Sequence, residues 1–130
     1  MAGRALVLFA HGARDARWRE PFERLRELVQ QARPQLAVRL AFLELMTPSL
    51  PEAVAALAGA GYAAITVVPV FLGQGGHVRR DLPALLAQLR ADHPQLALDM
   101  AAAAGEDEAV LAAIAGYCLA ALESGAADAD

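Results

Sequence analysis

The sequence predicts an α/β domain: a four-stranded parallel sheet of order 2-1-3-4 with helices on both faces. Two observations carry this prediction. Four short apolar or β-branched runs alternate strictly with four stretches of helical periodicity. The first run, Ala5–Ala10, contains no polar residue, as a strand covered on both faces requires. Strict alternation implies parallel strands joined by crossover helices. Right-handed crossovers leave few topologies, and a doubly wound sheet of order 2-1-3-4 is the one adopted here.

The first strand leads into a helix over 15–33. Trp18, Phe22, Leu25, Leu28 and Val29 fall on one face of it, and Arg19, Glu23, Arg26 and Glu27 elsewhere. Pro34 ends this helix, and Ala37–Glu44 forms the second strand. Ser49-Leu-Pro-Glu52 has capping-box spacing with proline near the first helical position, so it opens a helix that closes around Gly59-Ala-Gly61. Ala63–Phe71 is the third strand; its Pro69 donates no ladder bond and should disturb the strand's end. Beyond the glycine-rich Leu72–His77, a helix carries Leu82, Leu85, Leu86 and Leu89, with Pro83 expected in its first turn. Leu96–Ala101 is the fourth strand and 107–123 the last helix, with Cys118 expected in the core. No repeat or linker interrupts the pattern. Residues 1–123 therefore read as one domain and residues 124–130 as a flexible acidic tail.

Composition narrows the function. The chain has 130 residues, enough for one core, and 57% of them are apolar, well outside a disordered composition. No apolar run approaches the ~18 residues of a membrane span, and the amino terminus shows no signal-peptide pattern. A cytoplasmic protein without a membrane partner is expected. The single cysteine rules out a disulfide framework and a thiolate-rich zinc site. Net charge is −4, and no basic run exceeds the pair Arg79-Arg80, so the electrostatic footprint of nucleic-acid binding is missing. The partner should be a small molecule.

In an open α/β sheet, ligands bind beyond the carboxyl ends of the strands, where the strand order reverses. Here that point lies between strands one and three. His11 follows strand one directly, and His77 closes the loop after strand three. Glu44 closes strand two on the same edge. Alone, each histidine is equally well a loop residue bonding a carbonyl, and Glu44 a solvated strand end. Gly73, Gly75 and Gly76 could be an ordinary turn, and Arg79 and Arg80 a solvated helix start. The convergence of two histidines on one edge is what singles them out. Two imidazoles and a carboxylate with open positions suit zinc or a transition metal that must be picked up and released. A neutral imidazole is also a base near neutral pH. The glycines permit positive φ and close approach of a large flat ligand to the backbone.

At these residues the sequence resembles the small cobaltochelatase family of cobalamin biosynthesis (CbiX type), among the class II chelatases. The matching stretches are Phe9-Ala-His-Gly-Ala-Arg-Asp15, Phe42-Leu-Glu-Leu45 with Pro48-Ser-Leu50, and Val67–Val78 with Asp81-Leu-Pro83. The resemblance covers roughly residues 5–115. It implies a flavodoxin-like half-chelatase that inserts cobalt, as a divalent metal substrate, into the tetrapyrrole sirohydrochlorin, with no organic cofactor. It places the metal on His11 and His77 and an acidic residue, Glu44, at the site edge. Gly75 and Gly76 would lie against the macrocycle, and Arg14, Arg79 and Arg80 are candidates for its carboxylates. Related members insert iron or nickel, and these motifs do not separate the metals. The larger chelatases contain two such domains, which implies a homodimer with a cleft spanning both subunits. Histidine phosphatases also place His-Gly after a first strand, but with arginine before the histidine, where this chain has Ala10. A non-catalytic tetrapyrrole or metal carrier is the remaining alternative.

Overall fold

The computed structural model describes residues 3–128, with the side chains of His77 and residues 126–128 left outside the description. The strands are β1 (Arg4–Ala10), β2 (Ala37–Phe42), β3 (Ala64–Pro69) and β4 (Ala97–Met100). The helices are α1 (Glu20–Ala32), α2 (Leu50–Gly59), α3 (Gly76–Asp92) and α4 (Glu108–Asp128), with a 3-10 turn before α1 at Ala16–Arg19. Every strand pairing is parallel and the order is β2-β1-β3-β4, as the β-α alternation requires.

β1 is the central strand, with Leu8 between Leu40 and Val68. Its side chains alternate between two cores. Ala5, Val7 and Phe9 join Leu50, Ala53, Val54 and Leu57 of α2 and Leu82 and Leu89 of α3. Leu8 and Ala10 face the other way, with Val38, Leu40 and Phe42, beneath Trp18 of the 3-10 turn and Phe22, Leu25 and Val29 of α1. The spacing 18-22-25-29 is the helical stripe that meets the sheet. Leu28, expected on that stripe, lies off it and is 48% exposed.

Two helices thus cover one face, but α1 alone covers the other. Beyond it, the α1-side residues Ala64, Thr66 and Val68 of β3 are only half-buried, while Ile65, Val67 and Pro69 on the opposite face are buried. On β4, Ala97 and Asp99 are exposed. Half of one sheet face is therefore without a helix.

Four sequence expectations need correction. Pro83 does not sit in a first turn, because α3 already begins at Gly76 and Pro83 lies inside it. The Arg79 carbonyl loses its helical partner there, and it lies on an exposed turn where solvent replaces the missing bond. Second, β2 stops at Phe42 rather than Glu44, because Leu45 takes a left-handed φ of 65° and turns the chain away. Third, the last helix runs on to Asp128, so residues 124–128 of the expected tail have helical backbone. Residues 129–130 lie outside the described residues. Fourth, Cys118 is exposed, as are all of residues 111–125 along α4. The same helix revises the expectation about apolar runs. Its uncharged stretch falls short of a span, but the 18-residue window Glu108–Gly125 has a mean hydropathy of 1.3, enough by length and composition to cross a membrane.

α2 begins with the expected capping box. The Ser49 N–H donates to the Glu52 carboxylate at 2.8 Å, and the Ser49 hydroxyl accepts from the Glu52 N–H at 3.2 Å. The backbone bond from Ser49, then the bond to its side chain, holds the Glu52 carboxyl below its ordinary pKa. A carboxyl depressed in the folded state adds stability above its unfolded pKa and loses it as the pH falls through the folded one. Ser49→Ala should therefore cost about 1 kcal/mol near neutral pH. In urea unfolding across pH, the gap between Glu52→Gln and wild type should close as the pH falls below the carboxylate range.

Candidate functional site

His11 leaves the carboxyl end of β1 beside the extension of β2. The ladder continues past the strands: the Leu43 N–H donates to the Ala10 carbonyl at 2.9 Å and the Glu44 N–H to the His11 carbonyl at 3.0 Å. These bonds hold the His11 and Glu44 backbones side by side. His11 Nε2 stands 3.3 Å from Glu44 Oε1, and the two side chains are 49% and 54% exposed. At that spacing an imidazole nitrogen and a carboxylate oxygen can share a proton or a metal ion. The buried Phe71 forms the inner wall, with its ring edge-on to His11 at 5.9 Å and tilted against Phe9 at 5.8 Å.

Two glycines make this edge possible, and neither belongs to the 73–76 cluster. Gly12 has φ +103°, and a Cβ there would stand 1.8 Å from the Glu44 carbonyl oxygen. No other residue fits that position. Gly105, in the 3-10 turn Ala104–Glu106, donates its N–H to the Phe71 carbonyl at 2.8 Å, and a Cβ on it would meet the Leu72 oxygen at 1.9 Å. It pins the start of the loop that follows β3. By contrast, Gly73, Gly75 and Gly76 adopt no positive φ, and a Cβ on any of them meets nothing within 4 Å. The expectation that this cluster exploits left-handed backbone is overturned; it offers open space instead.

His77 is the second residue of α3, whose amino end, capped by Gly75 without a side-chain bond, follows the loop from β3. Its backbone is therefore at the predicted edge, and its side chain is outside the description. Among the described residues, no three His, Cys, Asp or Glu side chains form a metal-holding group. Arg14 is exposed in the His11 loop. Asp15 beside it is committed elsewhere: it caps the 3-10 turn through the Arg17 N–H and grips the Arg17 guanidinium at 2.9 and 3.2 Å. Those bonds lower the Asp15 pKa and raise that of Arg17. Arg79 borders a hollow of about 290 Å³ with Gln74, Pro69 and Glu106, while Arg80 is exposed one residue further on.

Larger hollows lie away from this chemistry. One of about 440 Å³ runs between α1, β2 and α2, and one of about 530 Å³ lies beside Arg4 and Arg33–Leu36. Neither is lined by His11 or Glu44. The site is an open edge, and its identity rests on donor chemistry and position rather than enclosed volume. Sequence reading found the donors but not their supports. The glycine after His11 was the available signal for the first clamp; Gly105 and Phe71 carried none.

A doubly wound parallel sheet with an imidazole–carboxylate pair at its switch point defines an α/β domain whose polar side chains meet at its carboxyl edge. The CbiX family profile matches residues 5–117. The chain belongs to the CbiX family. It is 40% identical over 82 residues to the sirohydrochlorin cobaltochelatase of Methanopyrus kandleri, covering 63% of this chain and 57% of that one. It is 37% identical over 89 residues to the sirohydrochlorin cobaltochelatase of Methanocaldococcus jannaschii, covering 68% and 62%. These matches thus span about six-tenths of the curated relatives' length. Among solved structures, a CbiX protein assigned to cobalamin (vitamin B12) biosynthesis from Marinobacter aquaeolei VT8 superposes with a TM-score of 0.82 at 36% identity, covering 93% of this chain and 98% of that one. SirB from Bacillus subtilis with Fe3+ shares the fold, with a TM-score of 0.73 at 23% identity over 88% of this chain and 45% of that one.

Gly12→Ala should lower stability by at least about 2–3 kcal/mol, since it adds left-handed strain to a backbone clash. Gly73→Ala should change it by less than about 0.5 kcal/mol. Urea unfolding of both variants checks the pair, and equal stabilities would show that the clamp is not needed.

Proposed function

We propose that this chain inserts a divalent metal, cobalt first, into sirohydrochlorin in cobalamin biosynthesis, as a cytoplasmic homodimer. The observation that carries the reading is the His11–Glu44 pair, 3.3 Å apart on an open sheet edge. The cobaltochelatase relatives support the substrate class.

In this reading His11 and His77 deliver the metal ion through neutral ring nitrogens, at the ~2.0–2.1 Å expected of imidazole ligands. The macrocycle lies across the edge, over the open space at Gly75 and Gly76. Its carboxylates meet Arg14, Arg79 and Arg80, and the amino end of α3 adds positive potential. The metal loses water as the pyrrole nitrogens bind it, and two N–H protons leave the macrocycle. Glu44 takes one through its contact with His11, or His11 takes it as the metal departs, and water shed by the metal carries the other to solvent. Charge balances, with one dication bound and two protons released. No organic cofactor takes part. The protein's contribution is position and desolvation.

His11→Ala and His77→Ala should each reduce cobalt insertion by on the order of 100-fold or more, with the fold intact, since both residues sit outside the core. The double variant should be little worse than the poorer single one, because the two act as a unit. Glu44→Gln should lose about 10–100-fold, as expected of a residue acting through a metal ligand. Insertion should weaken in acid, where a protonated imidazole has no lone pair for metal. The assay is anaerobic, with sirohydrochlorin and cobalt, nickel or ferrous iron in parallel, read by visible absorbance. Wild-type turnover in both single histidine variants would refute the assignment, and faster insertion of iron or nickel would reassign the metal.

A further inference from the structure

Among the described residues, eight large apolar side chains are exposed. Five lie on α4 and Leu28 on α1, and the remaining two, Leu45 and Leu72, both stand on the carboxyl edge. Glu44 and Phe71 meet the His11 ring there. Leu45 follows the first of them in sequence and Leu72 the second, on the loops at either side of β1. They are 57% and 68% exposed. A scattered exposed leucine needs no explanation. Leu45 differs, because its backbone is strained as well. It is the centre of a three-residue turn with φ 65°, closed by the Met46 N–H donating to the Glu44 carbonyl at 2.8 Å. That turn is of the rare left-handed kind, which sets Cβ against the neighbouring carbonyl. Glycine takes this conformation at no steric cost, and asparagine at less than leucine.

The turn itself is imposed from outside, since the same Glu44 oxygen packs against Gly12, where a Cβ would collide with it. Backbone geometry thus demands a left-handed residue at position 45 and does nothing to favour leucine. Burial does little to favour it either. Strain of this kind collects at ligand sites, and here it carries an uncovered apolar side chain one position from the donor pair. Leu72 is held in a comparable way. Gly105 packs so closely on its backbone that a Cβ there would collide with the Leu72 oxygen, while Leu72 itself stays outside the core. We propose that Leu45 and Leu72 grip the apolar body of the tetrapyrrole from the two sides of His11, and so set its position over the metal donors. The proposal rests on the chelatase reading above. A ligand with an apolar ring and an ionic rim needs both kinds of partner, and the edge has both, with Arg14, Arg79 and Arg80 also exposed. The two leucines are binding residues; the groups that handle metal and protons remain His11, His77 and Glu44.

Leu45→Gly and Leu45→Asn suit the turn and remove the apolar surface, while Leu45→Met keeps that surface. Metal-free sirohydrochlorin is titrated by visible absorbance, and cobalt insertion, cobalt binding alone, urea unfolding and sedimentation are measured alongside. The glycine and asparagine variants should bind the macrocycle roughly tenfold more weakly, as uncovering one leucine implies. Their KM should rise by a larger factor than their kcat falls. Cobalt binding without macrocycle should match wild type, and the urea midpoint of Leu45→Asn should be equal or higher, because left-handed strain is relieved. Leu45→Met should bind close to wild type. Leu72→Ser should weaken binding by a further factor of about ten, multiplying with the first because separate contacts add in free energy. Unchanged macrocycle affinity in Leu45→Gly and Leu45→Asn overturns the proposal and leaves the chelatase reading standing. A loss shared with cobalt binding or the urea midpoint also overturns it, since Leu45 then supports the donor pair instead of touching the ring. A weaker dimer with unchanged macrocycle affinity assigns Leu45 to a contact between copies and overturns it as well. Wild-type affinity in Leu72→Ser overturns that half of the grip. A wild-type chain that binds no sirohydrochlorin overturns both this proposal and the chelatase reading.

Discussion

The carbonyl oxygen of Glu44 lies 1.8 Å from where a side chain on residue 12 would begin. That approach is what closes β1 and β2 together beyond the last strand residues. Its consequence is the bond from the Glu44 N–H to the His11 carbonyl, which fixes both side chains on one edge at a separation of 3.3 Å. The strands supply the direction and Gly12 the proximity. A parallel ladder places carboxyl ends together in any doubly wound sheet, but only this backbone contact turns two neighbouring loops into a donor pair.

The opposite half of the edge is built by similar means. Gly105 holds the Phe71–Leu72 backbone, and Phe71 supplies the wall behind His11. Between this anchor and α3 lie Gly73, Gly75 and Gly76, none of them strained and none opposed by neighbouring atoms. One side of the edge is thus fixed by the β1–β2 clamp and the other side is open. Edge-on contact with Phe71 orients the imidazole while leaving about half of its side chain exposed.

Stability and assembly are distributed unevenly over the fold. The face bearing α2 and α3 is a continuous core, and β1 contributes to it through Val7 and Phe9, both fully buried. The face bearing α1 is half as wide, and α4, the helix that could complete it, extends from the clamp at Gly105 with its apolar surface in solvent. The same clamp that shapes the loop behind the site thus sets the direction of the exposed helix.

The sequence by itself determined the four strands, their order and the edge where His11 meets Glu44 and where the backbone of His77 lies, because alternation, periodicity and crossover handedness are local or nearly local rules. It also fixed the Ser49–Glu52 cap, whose partners are three residues apart. Tertiary structure decided the rest. Leu28 left the stripe because the sheet meets α1 along 18-22-25-29, and β2 stopped at Phe42 because Leu45 turns left-handed. The glycines that matter proved to be Gly12 and Gly105, opposed by backbone from distant residues that no spacing reveals. Cys118 and the rest of α4 look like core in sequence because apolarity marks what must be covered and is silent about which surface, or which chain, does the covering.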